Sequence, residues 1–356
     1  MLIYPFRLWF FLASDVDKPI GGVKQIHRIA EAAAELGVTA TIVQQSSDFR
    51  PSWFSSNVST ISLSDFRNLK LDLNSDLLVT PETTIASTSS LFPDIQRIIL
   101  NQNFAYTFGL GSSKILDPIQ VRKYYKSSLH VFSISCNDFS FLQNSFDLPD
   151  TRLTRLINPI ESEIFSPPTQ KFRQISYMPR KNSKHSRIIV QLLQNHPLLQ
   201  DWKFVPIAGL SQIEVASVLK DSAIFLSFGH PEGFGLPVAE ALACGSAVVG
   251  FNSLGTKDIY SSVSSLGVFF PCEPFSHLGF FNALVSFSDS YFSNRKHLLA
   301  SLKQSSKIIS ETFGAIKEIK LKGSERTYID NFSEPAKILS KHKASGTIIG
   351  QMPRLV

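Results

Sequence analysis

Short apolar runs rich in β-branched and aromatic residues alternate along this chain with longer segments of helical period. Such alternation is typical of a parallel sheet whose strands are joined by helices that cover it. The pattern predicts strands at 8–13, 39–44, 60–63, 77–80, 97–100 and 131–135 in the first half, and at 174–177, 204–207, 224–227, 247–251 and 268–270 in the second. Between the first two strands, the amphipathic segment 23–36 predicts a helix that ends before Gly37.

The 356 residues are enough for about two domains of roughly 150 residues each. The two series of strands are separated by residues 153–168, where an apolar strand runs into a Pro-rich stretch that continues neither a helix nor a central strand. We therefore predict an α/β protein with a first domain at 1–157, a second at 158–320 and a C-terminal helical segment and tail at 321–356. Two successive α/β domains bind a ligand in the cleft between them, at the carboxyl ends of their strands.

The composition favours a globular protein, since 43% of the residues are hydrophobic and 18% are charged. The formal net charge of +6 favours anionic ligands, but most basic residues are scattered rather than arranged in a stripe. We therefore expect no nucleic-acid partner; a phosphate-bearing small molecule or an anionic membrane surface fits the charge. Cys136, Cys244 and Cys272 lack the spacing of zinc ligands and are predicted to be reduced thiols of a cytoplasmic protein.

The apolar N-terminus, residues 1–13, is similar to a signal peptide in hydropathy, but it contains Pro5 and Arg7 and lacks a basic leader region. We predict that it forms the first strand. No other run approaches the roughly 20 apolar residues needed to cross a bilayer. The expected location is therefore cytoplasmic, and any membrane contact would be peripheral, at the inner face.

The segment 227–251 carries the most specific pattern in the chain. It leaves a buried strand, passes through a glycine-rich turn and enters a helix whose first residues include Pro237, which has no amide hydrogen to leave unpaired. Gly233 and Gly235 let a phosphate approach the backbone, while the free amides around Phe234 and Gly235 and the positive end of the helix dipole attract it. The turn is therefore a candidate anion site.

Two glutamates bracket this turn with seven residues between them, Glu232 in the loop and Glu240 about one turn into the helix. At this spacing two glutamates are commonly a solvated helix face. A carboxylate beside a phosphate site can instead accept hydrogen bonds from paired hydroxyls, as the acidic residue of a dinucleotide fold does with ribose. In that alternative, the two carboxylates face one polyhydroxylated ligand.

The sequence EGFGLPVAEALACGSAVV, which starts at Glu232, resembles the E-x7-E motif of the family 4 type of retaining glycosyltransferases, also called glycosyl transferases group 1. The resemblance implies a GT-B fold, in which two Rossmann-like domains face each other across a cleft. It implies that Glu232 lies by the donor sugar, that Glu240 holds the ribose, and that the turn up to Leu236 binds the donor. In this fold the C-terminal segment, here 321–356, usually returns to the N-terminal domain.

The resemblance is strong over 158–275 and only general over 1–157. In the first half, Gly21 and Gly22 precede the predicted helix as in the family's first loop, which lies near the diphosphate and the acceptor. Such glycine pairs are also common in plain turns. Because the pair follows the first strand directly, as in the family, we predict that this loop is part of the donor site.

Two basic residues follow the first strand of the second half, at the place where the family has an Arg and then a Lys. Arg180 and Lys184 are our candidates for neutralising the diphosphate, because Arg offers a planar fork to phosphate oxygens and Lys a mobile point charge. Pro179 replaces the family's usual glycine and the spacing to the Lys is one residue shorter, so Lys181 is the alternative to Lys184. A solvated basic loop is the remaining interpretation.

After the strand predicted at 97–100, many relatives carry a His that helps to place the acceptor. This chain has Gln102 and Asn103 nearby instead. We predict that their amides bind the acceptor by hydrogen bonds, although an amide cannot act as a base near neutral pH. His27 and His130 are predicted to be ordinary residues of a helix and of a strand flank.

The predicted function is that of a retaining, metal-independent, hexosyltransferase-like enzyme. It moves a sugar from a nucleotide-diphosphate sugar to a hydroxyl of a saccharide or lipid-linked saccharide, in the synthesis of a surface polysaccharide or glycoconjugate. Catalysis is assigned to Glu232, Arg180 and Lys184. No metal, no Asp-x-Asp metal site in the cleft and no cofactor are expected, because basic side chains and the helix N-terminus can stabilise the leaving diphosphate. The sequence leaves open the base, the sugar, the acceptor, the linkage and the oligomeric state.

Two other classes are weighed against this one. An NAD-dependent dehydrogenase needs G-x-G-x-x-G straight after a strand; Gly233 and Gly235 have the first spacing, but Val238 stands where the third glycine belongs. A catalytically inert sugar-nucleotide-binding or scaffold protein of GT-B fold is the alternative that remains. A donor-hydrolysis assay separates it from an enzyme.

Overall fold

The computed structural model describes residues 6–12, 14–110, 115–293 and 295–313. These residues form two parallel sheets covered by helices, and every strand predicted from the alternating pattern is present. The first sheet contains β1 (Arg7–Phe11), β2 (Thr39–Gln44), β3 (Ser59–Ser62), β4 (Asp76–Pro81), β5 (Gln96–Asn101), β6 (His130–Ser133) and β7 (Leu153–Arg155). Its helices are α1 (Gly21–Glu35), α2 (Leu63–Asn68), α3 (Ile85–Leu91), α4 (Pro118–Ser127) and α5 (Cys136–Phe146).

The second sheet contains β8 (Phe172–Tyr177), β9 (Lys203–Pro206), β10 (Ser222–Ser227), β11 (Ala247–Phe251) and β12 (Phe269–Cys272). Its helices are α6 (Ser183–Gln194), α7 (Gln212–Asp221), α8 (Leu236–Ala243), α9 (Thr256–Val263), α10 (His277–Ser293) and α11 (Arg295–Phe313). The strand orders are β3-β2-β1-β4-β5-β6-β7 and β12-β11-β10-β8-β9. In each sheet the order changes direction beside the strand that comes first in the chain, between β1 and β4 in the first sheet and between β8 and β10 in the second. Such a switch point opens a crevice at the carboxyl ends of the strands.

Helix α1 shows why the sequence pattern predicts the elements well. Ile26, Ile29, Ala30 and Ala33 recur at helical spacing and are all buried, so the helix lays one apolar face on the sheet. Gly37 follows the helix with a φ of +89°, a left-handed conformation that glycine adopts without a Cβ clash. The helix begins two residues before the predicted start, at the glycine pair itself.

Residues 156–171 connect the two sheets and are packed rather than extended into solvent. Phe165 is fully buried in an apolar cluster that includes residues of both halves. The backbone N–H of Ile160 donates to the carbonyl of Phe313 at the end of α11. The predicted division between 157 and 158 falls in this segment and stays a prediction. The predicted C-terminal segment 321–356 lies outside the described residues.

None of the described helices is long and apolar enough to cross a membrane. The three cysteines are free thiols, Cys136 exposed and Cys244 and Cys272 buried.

Candidate active site

The glycine-rich turn joins β10 to α8, and its glycines are required by close contacts. Gly235 immediately precedes α8 with a φ of +94°, and a Cβ there would lie 2.3 Å from Cγ2 of Thr256. The side chain of Phe234 packs on Phe313 with ring centroids 5.3 Å apart, so Phe234 offers the turn only its backbone. Pro237 lies in the first turn of α8, as predicted. The N–H groups of Gly235 and Leu236 donate to no residue that the structure describes, so the helix starts with free amides.

A pocket that is open to solvent lies beside this turn. Its wall includes Arg180 and Lys181 after β8, Glu232 in the turn, and Gly235 and Pro237 at the start of α8. Two cationic side chains, one carboxylate and a helix N-terminus thus face one space. Such an arrangement suits a ligand that carries both phosphates and hydroxyls.

Lys181 and Lys184 point to different surroundings. The Nζ of Lys181 lies 2.8 Å from Oε1 of Glu232 and also donates to the carbonyl of Pro231 at 3.2 Å. Lys184 is exposed on the first turn of α6. The cause is Asn182, which adopts a left-handed conformation with a φ of +51° and donates from Nδ2 to the carbonyls of Phe228 and His230. This anchor directs Lys181 into the pocket.

The loop after β5 contacts the turn of the second half through its backbone. A Cβ on Gly233 would lie 1.8 Å from the carbonyl oxygen of Gln102, so these backbones approach as only glycine allows. Nδ2 of Asn103 donates to the carbonyl of Pro231 at 3.3 Å, and its Oδ1 accepts from the N–H of Ala105. The amide of Asn103 is therefore used by the protein itself.

The glycine pair at the start of α1 lies against the same region. A Cβ on Gly21 would lie 2.8 Å from Cδ1 of Leu236, and one on Gly22 would lie 3.2 Å from the side-chain oxygen of Gln102. Residues predicted from four separate segments are thus brought together at the facing edges of the two sheets. The side chain of Gln102 is only partly buried and borders this meeting point.

Two buried carboxyls hold the loop that carries Gln102. The N–H of Gln102 donates to Oε2 of Glu82 at 2.9 Å, and the N–H of Phe104 donates to Oδ1 of Asp138 at 3.1 Å. Burial raises the pKa of Glu82 to about 8 and the pKa of Asp138 to about 7. Sequence reasoning missed both residues. The position of Glu82, directly after the carboxyl end of β4, was the available signal.

Glu240 lies at one end of a largely buried ionic network. Its Oε1 is 3.0 Å from Nζ of Lys24 in α1, and the same Nζ is 3.3 Å from Oε2 of Glu161 in the segment between the sheets. Arg28 donates from Nε to Oε1 of Glu161 at 2.9 Å. Nothing in the local sequence pattern connects Lys24 or Glu161 with Glu240. The contact depends on how the two halves pack.

The chain contains one Asp-x-Asp sequence, Asp15-Val16-Asp17, which precedes the glycine pair and does not line the pocket. Asp15 accepts the backbone N–H groups of Gln45 and Ser46, and Asp17 accepts the N–H and hydroxyl of Ser52. Among the described residues, no group of three His, Cys, Asp or Glu side chains is arranged to hold a metal ion. The two aspartates therefore brace loops of the first half.

His27 and His130 have ordinary structural contacts, as expected. Nδ1 of His27 lies 2.9 Å from the hydroxyl of Ser56, and burial lowers the pKa of this histidine to about 4. Nε2 of His130 lies 3.0 Å from the hydroxyl of Thr154 on the neighbouring strand β7. Neither contact involves the pocket.

No protein-family model matches this chain. It is 29% identical over 199 residues to an alpha-1,6-glucosyltransferase of Actinobacillus pleuropneumoniae serotype 7, a match that covers 52% of this chain and 55% of that protein. The chain thus spans about half the length of this curated relative.

The similar solved structures cover nearly the whole chain at low identity. A sucrose-phosphate synthase of Thermosynechococcus elongatus has a TM-score of 0.66 at 12% identity and covers 92% of this chain and 99% of its own. A glycosyltransferase of Rickettsia africae has a TM-score of 0.64 at 14% identity, with coverages of 92% and 99%. Anabaena Alr3699/HepE in complex with UDP-glucose has a TM-score of 0.64 at 12% identity, with coverages of 90% and 100%. The fold is GT-B.

Proposed function

We propose that this chain is a glycosyltransferase of the retaining family 4 type, which transfers a sugar from a nucleotide-diphosphate sugar to a hydroxyl acceptor. The observation that carries the proposal is the pocket at the start of α8, where Glu232, Arg180 and Lys181 meet beside the glycine turn. The E-x7-E spacing of Glu232 and Glu240 and the match to a glucosyltransferase support the same activity.

The donor is proposed to lie along α8. Arg180, Lys181 and the N-terminus of α8 face the diphosphate, and the glycine pair of α1 closes over it from the first half. Glu232 contacts the donor sugar and Glu240 contacts the ribose. Because HepE is described in complex with UDP-glucose and the curated relative is a glucosyltransferase, UDP-glucose is the first donor to test.

The proposed reaction breaks the bond between the anomeric carbon and the diphosphate oxygen and forms a bond from the acceptor hydroxyl on the same face. The departing diphosphate gains negative charge, which Arg180, Lys181 and the helix amides stabilise. Gln102 orients the acceptor but cannot take its proton near neutral pH. The proton therefore passes to the oxygen of the leaving diphosphate, which lies on the same face.

The acceptor is proposed to be a saccharide or lipid-linked saccharide in the synthesis of a surface polysaccharide or glycoconjugate, and the site of action the cytoplasm at the inner face of the membrane. The glucosyltransferase name of the curated relative supports a saccharide product.

A panel of UDP-, GDP-, ADP- and dTDP-sugars tests the function directly. Thermal-shift measurements identify the donor, because a ligand at 100 times its Kd stabilises by about 2.7 kcal/mol. Hydrolysis or transfer of that donor is then measured, and NMR of the product reports the anomeric configuration. Binding without any turnover would favour an inert sugar-nucleotide-binding protein, and an inverted anomer would rule out the retaining mechanism.

Activity is expected to survive an excess of EDTA. The reason is that Arg180, Lys181 and the amides at the start of α8 supply the positive charge that a metal would otherwise provide. Turnover is measured in chelated buffer and again after addition of Mg²⁺ or Mn²⁺. Loss of turnover that either ion restores would contradict this prediction.

Lys181→Met is expected to lower kcat/KM for the donor by about tenfold, because a charge-assisted contact at the diphosphate is lost. Lys184→Met is the matched control: it removes the same charge from an exposed position three residues away and should leave kcat/KM within about twofold. Both are measured by initial rates over a range of donor concentrations. A larger loss of kcat/KM in Lys184→Met than in Lys181→Met would assign the diphosphate contact to Lys184.

A further inference from the structure

Lys24 is a buried cation that bridges carboxylates from two different parts of the chain. Its Nζ lies 3.0 Å from Oε1 of Glu240 on α8 and 3.3 Å from Oε2 of Glu161 in the segment between the sheets. The side chains of Lys24, Glu240 and Glu161 are only 3%, 9% and 13% exposed. The ammonium also lies 5.6 Å from the ring centroid of Phe165. Lys24 is therefore held from several sides.

The two oxygens of Glu240 differ in their surroundings. Oε1 is bound by Lys24, whereas Oε2 accepts no hydrogen bond from any residue that the structure describes. The side chain of Glu240 is 9% exposed, and Oε2 is not one of the unpartnered polar atoms of the described residues that are fully enclosed, so this oxygen keeps a small exposed surface. An ionised carboxylate with one oxygen fixed and the other open is suited to accept a hydrogen bond from a ligand hydroxyl.

Lys24 also controls the charge of Glu240. Burial raises the pKa of Glu240, and the neighbouring ammonium of Lys24 opposes that rise. Burial alone would lower the pKa of Lys24, but Glu240 and Glu161 together raise it above its ordinary value. The titratable groups that face Glu240 are the ammonium of Lys24 from α1, the carboxylate of Glu161 from the connecting segment and the neutral thiol of Cys244 directly after α8. Lys24 is the cation among them.

We propose that Lys24 is a positioning residue for the donor nucleotide, which fixes Glu240 through Oε1 so that Oε2 is presented to the ribose hydroxyls. Because Lys24 belongs to the first half and Glu240 to the second, donor affinity then depends on the contact between the halves. The inference rests on the proposed function, in which Glu240 holds the ribose. Lys24 follows Gly22 by two positions. The glycine pair that lies against Leu236 and the lysine that binds Glu240 therefore both belong to the first turn of α1.

Lys24→Met tests the proposal, because it keeps the length of the side chain and removes the charge. The nucleoside diphosphate that the wild type binds most tightly among UDP, GDP, ADP and dTDP is titrated calorimetrically between pH 5.5 and 8.5. We expect Kd to rise about tenfold at pH 7, with kcat at saturating donor changed less than about threefold. The pH at which affinity is half lost should move upward by about one unit or more, since Glu240 then binds a proton more readily.

Arg28→Met is the matched control, because it removes a cation from Glu161 in the same network without a contact to Glu240. It should change the thermal unfolding temperature but leave Kd and its pH profile unchanged. Lys24→Arg should restore the wild-type pH profile because it keeps the charge. If Lys24→Met does not fold, Lys24→Gln, which can still donate to Glu240, should show the same upward shift.

The outcomes separate the two proposals. Wild-type nucleotide binding together with an unchanged Kd and pH profile in the Lys24 variants would overturn the role of Lys24 and leave the transferase proposal standing. A wild type that binds none of the four nucleoside diphosphates would overturn both. An equal shift of the pH profile in Arg28→Met would also overturn the specific role of Lys24, because that residue does not contact Glu240.

Discussion

Glu232→Gln is expected to lower kcat by about 10²-fold or more while the affinity for the free nucleoside diphosphate changes little. Glu232 lines the pocket, and its Oε1 lies 2.8 Å from Nζ of Lys181. A carboxylate at this place orients a sugar hydroxyl and favours the positive charge that develops at the anomeric carbon. Glutamine keeps the size and most of the hydrogen-bonding reach, so the variant removes mainly the charge. Steady-state kinetics and calorimetric titration of the nucleotide measure the two effects separately.

Two controls make this result specific to the chemical step. A Cβ on Gly229 would lie 2.5 Å from Oε1 of Glu232, so the side chain is already closely packed, and thermal unfolding must show that Gln fits there. The double variant of Glu232→Gln with Lys181→Met should lose less than the sum of the two single losses, because the pair acts together. Loss of nucleotide binding at unchanged kcat would instead place Glu232 at the nucleotide.

The fold could be predicted closely because its signals are local. The helical period of α1 and the glycine that ends it, and the short apolar runs of the strands, lie within single segments of the chain. The glycine turn could be predicted for the same reason, since Gly233, Gly235 and Pro237 lie within five consecutive residues and each has a separate steric role. Residues that lie close together in the sequence determine such local geometry by themselves.

The choice between Lys181 and Lys184 shows where local reasoning loses precision. Both lysines lie in one short basic segment, and their spacing from Arg180 differs by three residues. The left-handed conformation of Asn182 and its bonds to two carbonyls of the glycine turn direct Lys181 inward. That anchor joins residues 46 and 48 positions apart, so the sequence around the lysines does not reveal it.

The contacts of Glu240 and Gln102 were beyond prediction from one sequence. Lys24 and Glu240 are 216 residues apart, and their contact exists only because the two halves pack together. Glu82 supports the loop of Gln102 from another strand end, 20 residues earlier. Sequence periodicity shows that such residues are near the carboxyl ends of strands, but the pairs themselves are set by the packing of the strands and of the two halves.

Gly233→Ala is expected to lower kcat/KM by about 10²-fold or more, because it disturbs the place where the two halves touch. The added Cβ would lie 1.8 Å from the carbonyl oxygen of Gln102 and 2.9 Å from Cα of Asn103, and both are backbone atoms that cannot rotate away. The glycine turn and the loop after β5 must therefore separate, which moves the acceptor side of the cleft away from the donor side. A displacement of about 1 Å at a reacting centre can cost 10²-fold in rate, and the overpacking itself costs about 1–3 kcal/mol of stability.

Gly267→Ala is the matched control for Gly233→Ala. Gly267 has a left-handed φ of +60°, and no heavy atom of the described structure lies within 4 Å of the position of its Cβ. This substitution should therefore cost about 1–2 kcal/mol of stability through backbone strain while kcat/KM stays near the wild-type value. Initial rates and thermal unfolding of both variants separate a general loss of stability from a local loss of function. Wild-type turnover in Gly233→Ala would mean that Gly233 and Gln102 are apart when the reaction occurs, and the acceptor role of Gln102 would then have to be abandoned.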